Sequence, residues 1–465
     1  HADMNFTMIR NWVGQIGDKE FYEACDRHGI MVWQDFWLAN PVDGPNPYYT
    51  EMFNANACDY LKRIRNHPSI GIYVGRNEGN PPAGIDDYLR GLVFREHPGL
   101  YYISNSAMGV VSGGGPYRAL SPKSYFQSYG HDKFHSERGM PNVMNYESML
   151  LTFGTDKIEP VNTSETPNPV YGLHDYTLGG GKGSSAQAAS SFNDMIEKAF
   201  GRPRDAKQFA EWAQWINYDG YRAIFEGRSE HRRGMLLWMS HSAWPSMVWQ
   251  TYDYYFDPNA AYFGCKKASE PLHIQWNPLR DDIEVVNYHA FDRTGLTATA
   301  SLFNQDGTLQ WTRETKLDIK EDQTVACFPL EQPETLSDTY FIKLSLTDSD
   351  GKQLSDNFYW RGKEDGNYKS LLQLPKVSVC KNVTVKKTGK EWLIRAVLKN
   401  EARTPALMLR LKVAGEKSGR MLLPVFYSDN YFSLLPGEVK EVDIRLYDAD
   451  TYGEKPVLEV LGFNL

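Results

Sequence analysis

The chain reads as a multidomain protein of the α/β plus all-β class: a (β/α)8 TIM barrel followed by two immunoglobulin-like β-sandwiches. Three observations predict this. To about residue 265, short apolar runs alternate with longer amphipathic stretches, the pattern of parallel βαβ units with right-handed crossovers. No G-x-G-x-x-G follows a strand, so a nucleotide-binding open sheet gives way to a barrel. After about residue 268 the period of the pattern drops to two, with turn signals between short runs, which describes sandwiches.

Taken in order, Thr7–Trp12 predicts a strand and Asp18–His28 a helix with Phe21, Tyr22 and Cys25 on one face, stopped by Gly29. Ile30–Phe36 is the next strand, Met52–Asn66 the next amphipathic helix, and Ile70–Val74 a fully apolar strand. Asp86–Phe94, Leu100–Ser104, Lys133–Ser136, Asp205–Glu226 and Met235–Met239 continue the alternation. About seven barrel strands result, one short of closure. DIEVVNYHAF, TATASLFN, YFIKLSLTD, NVTVKKTG, EWLIRAVLKN, ALMLRLKVA and VKEVDIRLYD then supply alternating strands, punctuated near Asp306, Asp350 and Gly437. The polar run Arg361–Lys369 predicts a linker, and Gly179–Ser185 a glycine-rich loop. The expected domains are therefore a barrel over 1–267 and sandwiches over 268–366 and 367–465.

Composition narrows the function classes. At 465 residues the chain is too long for one ordinary domain, and 41% hydrophobic with 23% charged residues supplies ample core. A net charge of −8, with no basic stripe interleaved with aromatics, argues against a nucleic-acid partner. No apolar run approaches the ~18–20 residues of a membrane span. The aromatic content is high, 13% with 12 Trp and 28 Tyr, and such rings line carbohydrate clefts as well as cores. Five widely spaced cysteines without a CxxC predict buried free thiols, neither a disulfide framework nor a metal site. The start HADMNFTMIRNW has no signal-peptide pattern and enters directly into a strand, so it is expected to be a cut or processed edge.

Barrel chemistry sits at the carboxyl ends of strands. Glu78 follows Asn77 at the end of IGIYVGRNE, and Glu137 ends KFHSERG. Two carboxyls facing one cleft is what glycoside hydrolysis requires: one protonates the leaving oxygen, the other attacks the anomeric carbon or activates water. A single glutamate at a strand end could merely cap the next helix; two, one of them preceded by Asn, favour chemistry.

RNWVGQ…FYEACDRHGIMVWQDF, HPSIGIYVGRNE, FHSERGMPN and LLWMSHSAWPSMVWQTYDYY…AAYFGCKKASEPLHIQ together resemble glycoside hydrolase family 2. The likeness is greatest to the branch of β-mannosidases, plant endo-β-mannosidases and exo-β-D-glucosaminidases. It implies a retaining mechanism without cofactor or metal, with Glu78 as general acid/base and Glu137 as nucleophile. It also implies that the first barrel strand and two or three sandwich domains precede the point where this chain starts. Exo-glucosaminidases of the branch carry a different sequence in place of the Asn–Glu pair, so the intact GRNE leans toward a sugar bearing a 2-hydroxyl.

Arg10 matches the family's arginine that holds the nucleophile, and a cation there would keep Glu137 ionised. Glu78 is expected in more apolar surroundings, holding its proton. Asn77 would donate to the sugar 2-hydroxyl, and Trp238 would form the floor under the terminal sugar. Trp12 and Asp35, also at strand ends, suit either sugar contact or packing, and His174 is placed at the rim. The 59 residues from Glu78 to Glu137 must hold three βα units, which predicts short helices there. The expected function is an exo-acting β-glycosidase, most like β-mannosidase, acting on an oligosaccharide or glycan. The alternatives are exo-β-D-glucosaminidase, another specificity of the family (β-galactosidase or β-glucuronidase), or a non-catalytic carbohydrate-binding relic.

Overall fold

The computed structural model describes residues 1–465 apart from 43, 129–132, 163–165, 167, 175–183 and 231–232, and of 184–189 it describes the backbone alone. Two compact units are present. The first comprises His1–Pro116 together with the stretches around two later strands, Phe134–Arg138 and Met235–Leu237. Its strands are β1 (Met8–Asn11), β2 (Met31–Asp35), β3 (Ile70–Arg76), β4 (Tyr101–Asn105), β5 (Val111–Ser112), β6 (Phe134–Arg138) and β7 (Met235–Leu237). They form two parallel sheets, β1-β2-β3-β4 and β5-β6-β7.

Three helices cover the first sheet: α1 (Lys19–His28), α2 (Thr50–Ile64) and α3 (Ala83–Glu96). α2 places Phe53, Ala57, Tyr60, Leu61 and Ile64 along one face, and all are buried. Gly29 ends α1 with φ +66°, a conformation that suits glycine. Strand alternation then sorts the sheet residues onto two faces. Ile9, Val32 and Tyr73 pack with the helices, whereas Met8, Trp33, Ile72, Val74, Ile103, Val111, Phe134 and Leu236 form a separate cluster. Every one of β1 to β7 contributes to that second cluster.

The expected strands and helices of this region are found, with three differences. β5 is two residues long and carries no alternation to betray it. α3 is an ordinary 14-residue helix, not a short one. The tightness between the glutamates is absorbed instead by the β4–β5 connection, which is turn, and by the six-residue α4 (Pro122–Gln127), whose Ser121 cap accepts from Ser124 N–H.

The second unit holds α4 and the helices α5 (Tyr146–Phe153), α6 (Pro169–Leu173), α7 (Ser184–Phe200), α8 (Ala206–Glu226) and α9 (Ala260–Ala268). Antiparallel strands follow: β8 (Leu272–Asn277), β9 (Asp282–Asn287), β10 (Arg293–Asn304), β11 (Leu309–Ile319), β12 (Gln323–Pro329), β13 (Thr339–Thr347) and β14 (Gln353–Gly362). Their sheets, β11-β10-β13-β14 and β12-β9-β8, meet through Ile274, Val285, Leu302 and Ile342. The last strands are β15 (Val379–Thr388), β16 (Glu391–Asn400), β17 (Ala406–Gly415), β18 (Phe426–Tyr427), β19 (Phe432–Leu434), β20 (Val439–Tyr447) and β21 (Pro456–Leu461). They make the sheets β15-β16-β20-β18 and β19-β17-β21.

The predicted linker is no free tether. Arg361, the last residue but one of β14, is buried and donates at 3.0 and 3.1 Å to both Asp219 oxygens of α8, and Tyr368 N–H donates to Ala199 O. The glycine-rich loop lies outside the described residues as far as Gly183, and Ser184 and Ser185 already belong to α7. Of the cysteines expected to be buried, Cys380 is exposed. Among the described residues no helix is long and apolar enough to cross a membrane.

Candidate active site

The site is assembled at the carboxyl ends of β1, β2, β3 and β6, all in the first unit. Arg10 shares a strand face with Met8, and Asp35 with Trp33, so both point to the side of the shared cluster. Arg10 and Trp33 are also register partners, and the guanidinium lies over the Trp33 ring at 5.6 Å. The Arg10 side chain is 5% exposed, and a charge so buried has to be paired. It donates Nη1 to Glu137 Oε1 at 2.5 Å, and Nη2 to Asp35 Oδ2 at 2.8 Å and to Asn77 Oδ1 at 2.5 Å. Nε adds a bond to Asp35 Oδ2 at 3.1 Å. Burial works against the Arg10 charge, but Asp35 and Glu137 outweigh it and raise its pKa.

Asp35 accepts four hydrogen bonds, two from Arg10, one from Trp33 Nε1 at 2.6 Å and one from Val13 N–H at 3.0 Å. With its oxygens so occupied, it fixes the position of Arg10. Glu137 is the fourth residue of β6, and the strand end is set by Gly139, where a β-carbon would stand 1.8 Å from Trp238 O. Only glycine lets the Trp238 backbone approach so closely, and Trp238 N–H donates to Arg138 O at 2.9 Å. Trp238 then meets Trp12 edge-on, ring centroids 5.1 Å apart. The buried Trp12 indole N–H has no partner among the described residues.

Beyond β3 the chain turns so that Glu78 adopts φ +44°, a left-handed conformation unusual for a residue with a side chain. Its N–H donates to Ser106 Oγ at 2.9 Å. The expectation of apolar surroundings is corrected here: Asn40 Nδ2 donates to Glu78 Oε2 at 2.8 Å, and Asn40 Oδ1 accepts from Asn77 Nδ2. Asn40 lies on the loop after β2, which is pinned to the end of β3. Buried Arg76 donates Nε to Ala39 O and Nη1 to Asn46 Oδ1, both at 2.7 Å, and Asn77 N–H donates to Leu38 O at 3.0 Å.

Seven of the eight residues picked from the sequence (Arg10, Trp12, Asp35, Asn77, Glu78, Glu137 and Trp238) thus lie in one unit, and five of them are tied directly or through Asn40 by hydrogen bonds. His174 lies in the second unit, where its Nδ1 pairs with Pro245 O at 2.8 Å and its ring stacks on Trp244. Asn40 and Ser106 carry no signal of their own in the sequence, because an Asn before Pro and a Ser after a strand read as turn punctuation, and Arg76 reads only as the last residue of its strand.

Residues 357–465 match the family model for the exo-β-D-glucosaminidase Ig-fold domain. The whole chain aligns at 27% identity with 60% of the mannosylglycoprotein endo-β-mannosidase of Lilium longiflorum. Some 99% of it aligns at 28% identity with 56% of an exo-β-D-glucosaminidase of Streptomyces avermitilis. The crystal structure of the Amycolatopsis orientalis exo-chitosanase superposes on 99% of the chain with a TM-score of 0.88 at 25% identity, using 60% of its own length. The chain therefore spans under two thirds of the proteins it matches. Its homologues are the β-mannosidases, endo-β-mannosidases and exo-β-D-glucosaminidases of glycoside hydrolase family 2, the branch that its sequence resembles.

Proposed function

We propose that this chain carries the catalytic part of a retaining, exo-acting β-glycosidase, most like a β-mannosidase, that removes the non-reducing terminal sugar of a β-linked glycan. The observation that carries this reading is the single guanidinium of Arg10, bonded both to Glu137 and to the residue preceding Glu78. One guanidinium thereby links the strand end that bears Glu137 to the residue next to Glu78. In the proposed reaction Glu137 attacks the anomeric carbon while Glu78 gives its proton to the leaving oxygen, which departs with the electron pair of the broken C–O bond. Water, deprotonated by Glu78, then releases the sugar from the Glu137 ester. Arg10 holds Glu137 as a carboxylate, Asp35 holds Arg10, and Asn77 keeps one amide hydrogen for the sugar 2-hydroxyl. Trp12 and Trp238 would wall the sugar's apolar face.

The two parallel sheets of the first unit, whose seven strands share one cluster, support a (β/α)8 barrel with an eighth strand between β7 and β1. We read that strand, and the sandwich domains preceding it, as belonging to the same protein, consistent with the greater length of the relatives. The division into a barrel over 1–267 and sandwiches over 268–366 and 367–465 belongs to the same proposal. A second specificity, exo-β-D-glucosaminidase, is favoured by the family match over 357–465 and by the likeness to the exo-chitosanase.

Hydrolysis of 4-nitrophenyl β-mannoside, β-glucosaminide, β-galactoside and β-glucuronide by the full-length protein and by Glu137→Gln tests the reading. The wild type is expected to cleave the mannoside, and the variant to lose at least about 10³-fold. Preference for the glucosaminide would move the specificity, and no cleavage of any would overturn the enzyme reading.

A further inference from the structure

We infer that Asn40 is the positioning residue of the acid/base, and that it assigns the transferred proton to Oε1 of Glu78. This rests on the proposed role of Glu78. A chain of amide hydrogen bonds runs one way across the site: Arg10 Nη2 to Asn77 Oδ1 at 2.5 Å, Asn77 Nδ2 to Asn40 Oδ1, and Asn40 Nδ2 to Glu78 Oε2 at 2.8 Å. Its direction is not a matter of choice. A guanidinium only donates, so the Asn77 atom facing Arg10 must be the oxygen; Ser106 Oγ also donates to it, at 3.2 Å. Asn77 must then present its NH2 to Asn40, which turns the Asn40 oxygen toward Asn77 and its NH2 toward Glu78.

An NH2 facing Oε2 leaves that oxygen able only to accept. A protonated Glu78 therefore carries its proton on Oε1, the oxygen beside Gly114, where a β-carbon would stand 3.9 Å away. Gly114 has φ +79° and no side chain, so no side chain from this position reaches toward Oε1. The same relay keeps Asn40 fixed, since Arg76 clamps Ala39 and Asn46 on either side of it. Arg10 thus sets Glu137 directly and Glu78 at second hand. In the transfer, the Oε1–H bond breaks as an O–H bond forms on the glycosidic oxygen, and Oε2 keeps its bond from Asn40 throughout.

The test compares two substrates of the full-length protein, methyl β-mannoside, whose leaving group needs the proton, and 2,4-dinitrophenyl β-mannoside, whose leaving group does not; the matching glucosaminides serve if the panel favours that sugar. For Asn40→Ala, kcat/KM, which reports the glycosylation step alone, is expected to fall at least about 30-fold on the methyl glycoside and by less than about 3-fold on the dinitrophenyl glycoside. Asn40→Asp, which keeps the shape and loses the donor, should show the same split. Adding Asn40→Ala to Glu78→Ala should cost nothing further, because no acid remains to be positioned. Equal losses on both substrates, no loss on either, or additive losses in the double variant overturn the inference while leaving Glu78 and Glu137 in their roles. A wild type that cleaves no glycoside overturns the underlying reading and this inference with it.

Discussion

Val13 and Glu78 both hold their backbones at φ +44°, a conformation that costs a side-chain-bearing residue on the order of 1–2 kcal/mol. Each is held there by the site, Val13 through its N–H to Asp35 and Glu78 through its N–H to Ser106 and its carboxylate to Asn40. If this conformation is kept for the placement of Glu78, removing the side chain relieves it. Glu78→Gly is expected to be more stable than Glu78→Ala by about 1 kcal/mol, the reverse of the usual order, while both are inactive on methyl β-glycosides. Thermal unfolding of the two variants checks this, and an alanine variant as stable as the glycine one would contradict it. At this scale the sequence is most legible where a residue type has few reasons to sit at a strand end, as with Glu78 after Asn77. It is silent on Asn40, whose role is defined by residues 37 positions away or more and by no local pattern.

Among elements, those with clean periodicity are legible and the rest are not. α2 and the alternating strands β10, β13, β16 and β20 fall where their patterns lie. β8 escapes because all six of its residues are buried: His273, Gln275 and Asn277 are polar yet covered. His273 pairs with Glu226 of α8 at 3.1 Å and with Glu270 at 3.0 Å, so polarity there marks a helix-facing side and not solvent. A comparable tie joins α5 to β17. Burial alone would raise the Glu147 carboxyl, but Arg410 at 2.8 Å and Lys412 at 3.2 Å hold it down to about 2. A depressed carboxylate stabilises the fold above its unfolded pKa of 4.5 and loses that contribution as pH falls toward 2. Glu147→Gln should therefore lower Tm at pH 7, and the deficit should narrow between about pH 4.5 and pH 2. A deficit constant with pH would show that the ion pairs contribute nothing.

For the molecule as a whole, the alternation of apolar runs with amphipathic stretches implies the parallel α/β region, and the change of period implies the antiparallel sheets that follow. What the sequence could not supply was the grouping of these regions. The last sheets share a compact unit with α4 to α9, and the run read as a linker is bound into it through Arg361 and Asp219. Such joins are made by buried polar contacts between residues far apart in the sequence, which leave no periodic trace. The proposed chemistry depends wholly on the first unit, where Glu137 and the residue before Glu78 meet one arginine. The most direct test follows the anomeric proton signals by 1H NMR during the first minutes of hydrolysis of a β-glycoside by the full-length protein. The β-anomer of the free sugar should appear first and only later equilibrate with the α-anomer; an α-anomer formed first would mean inversion, and would contradict Glu137 as a nucleophile.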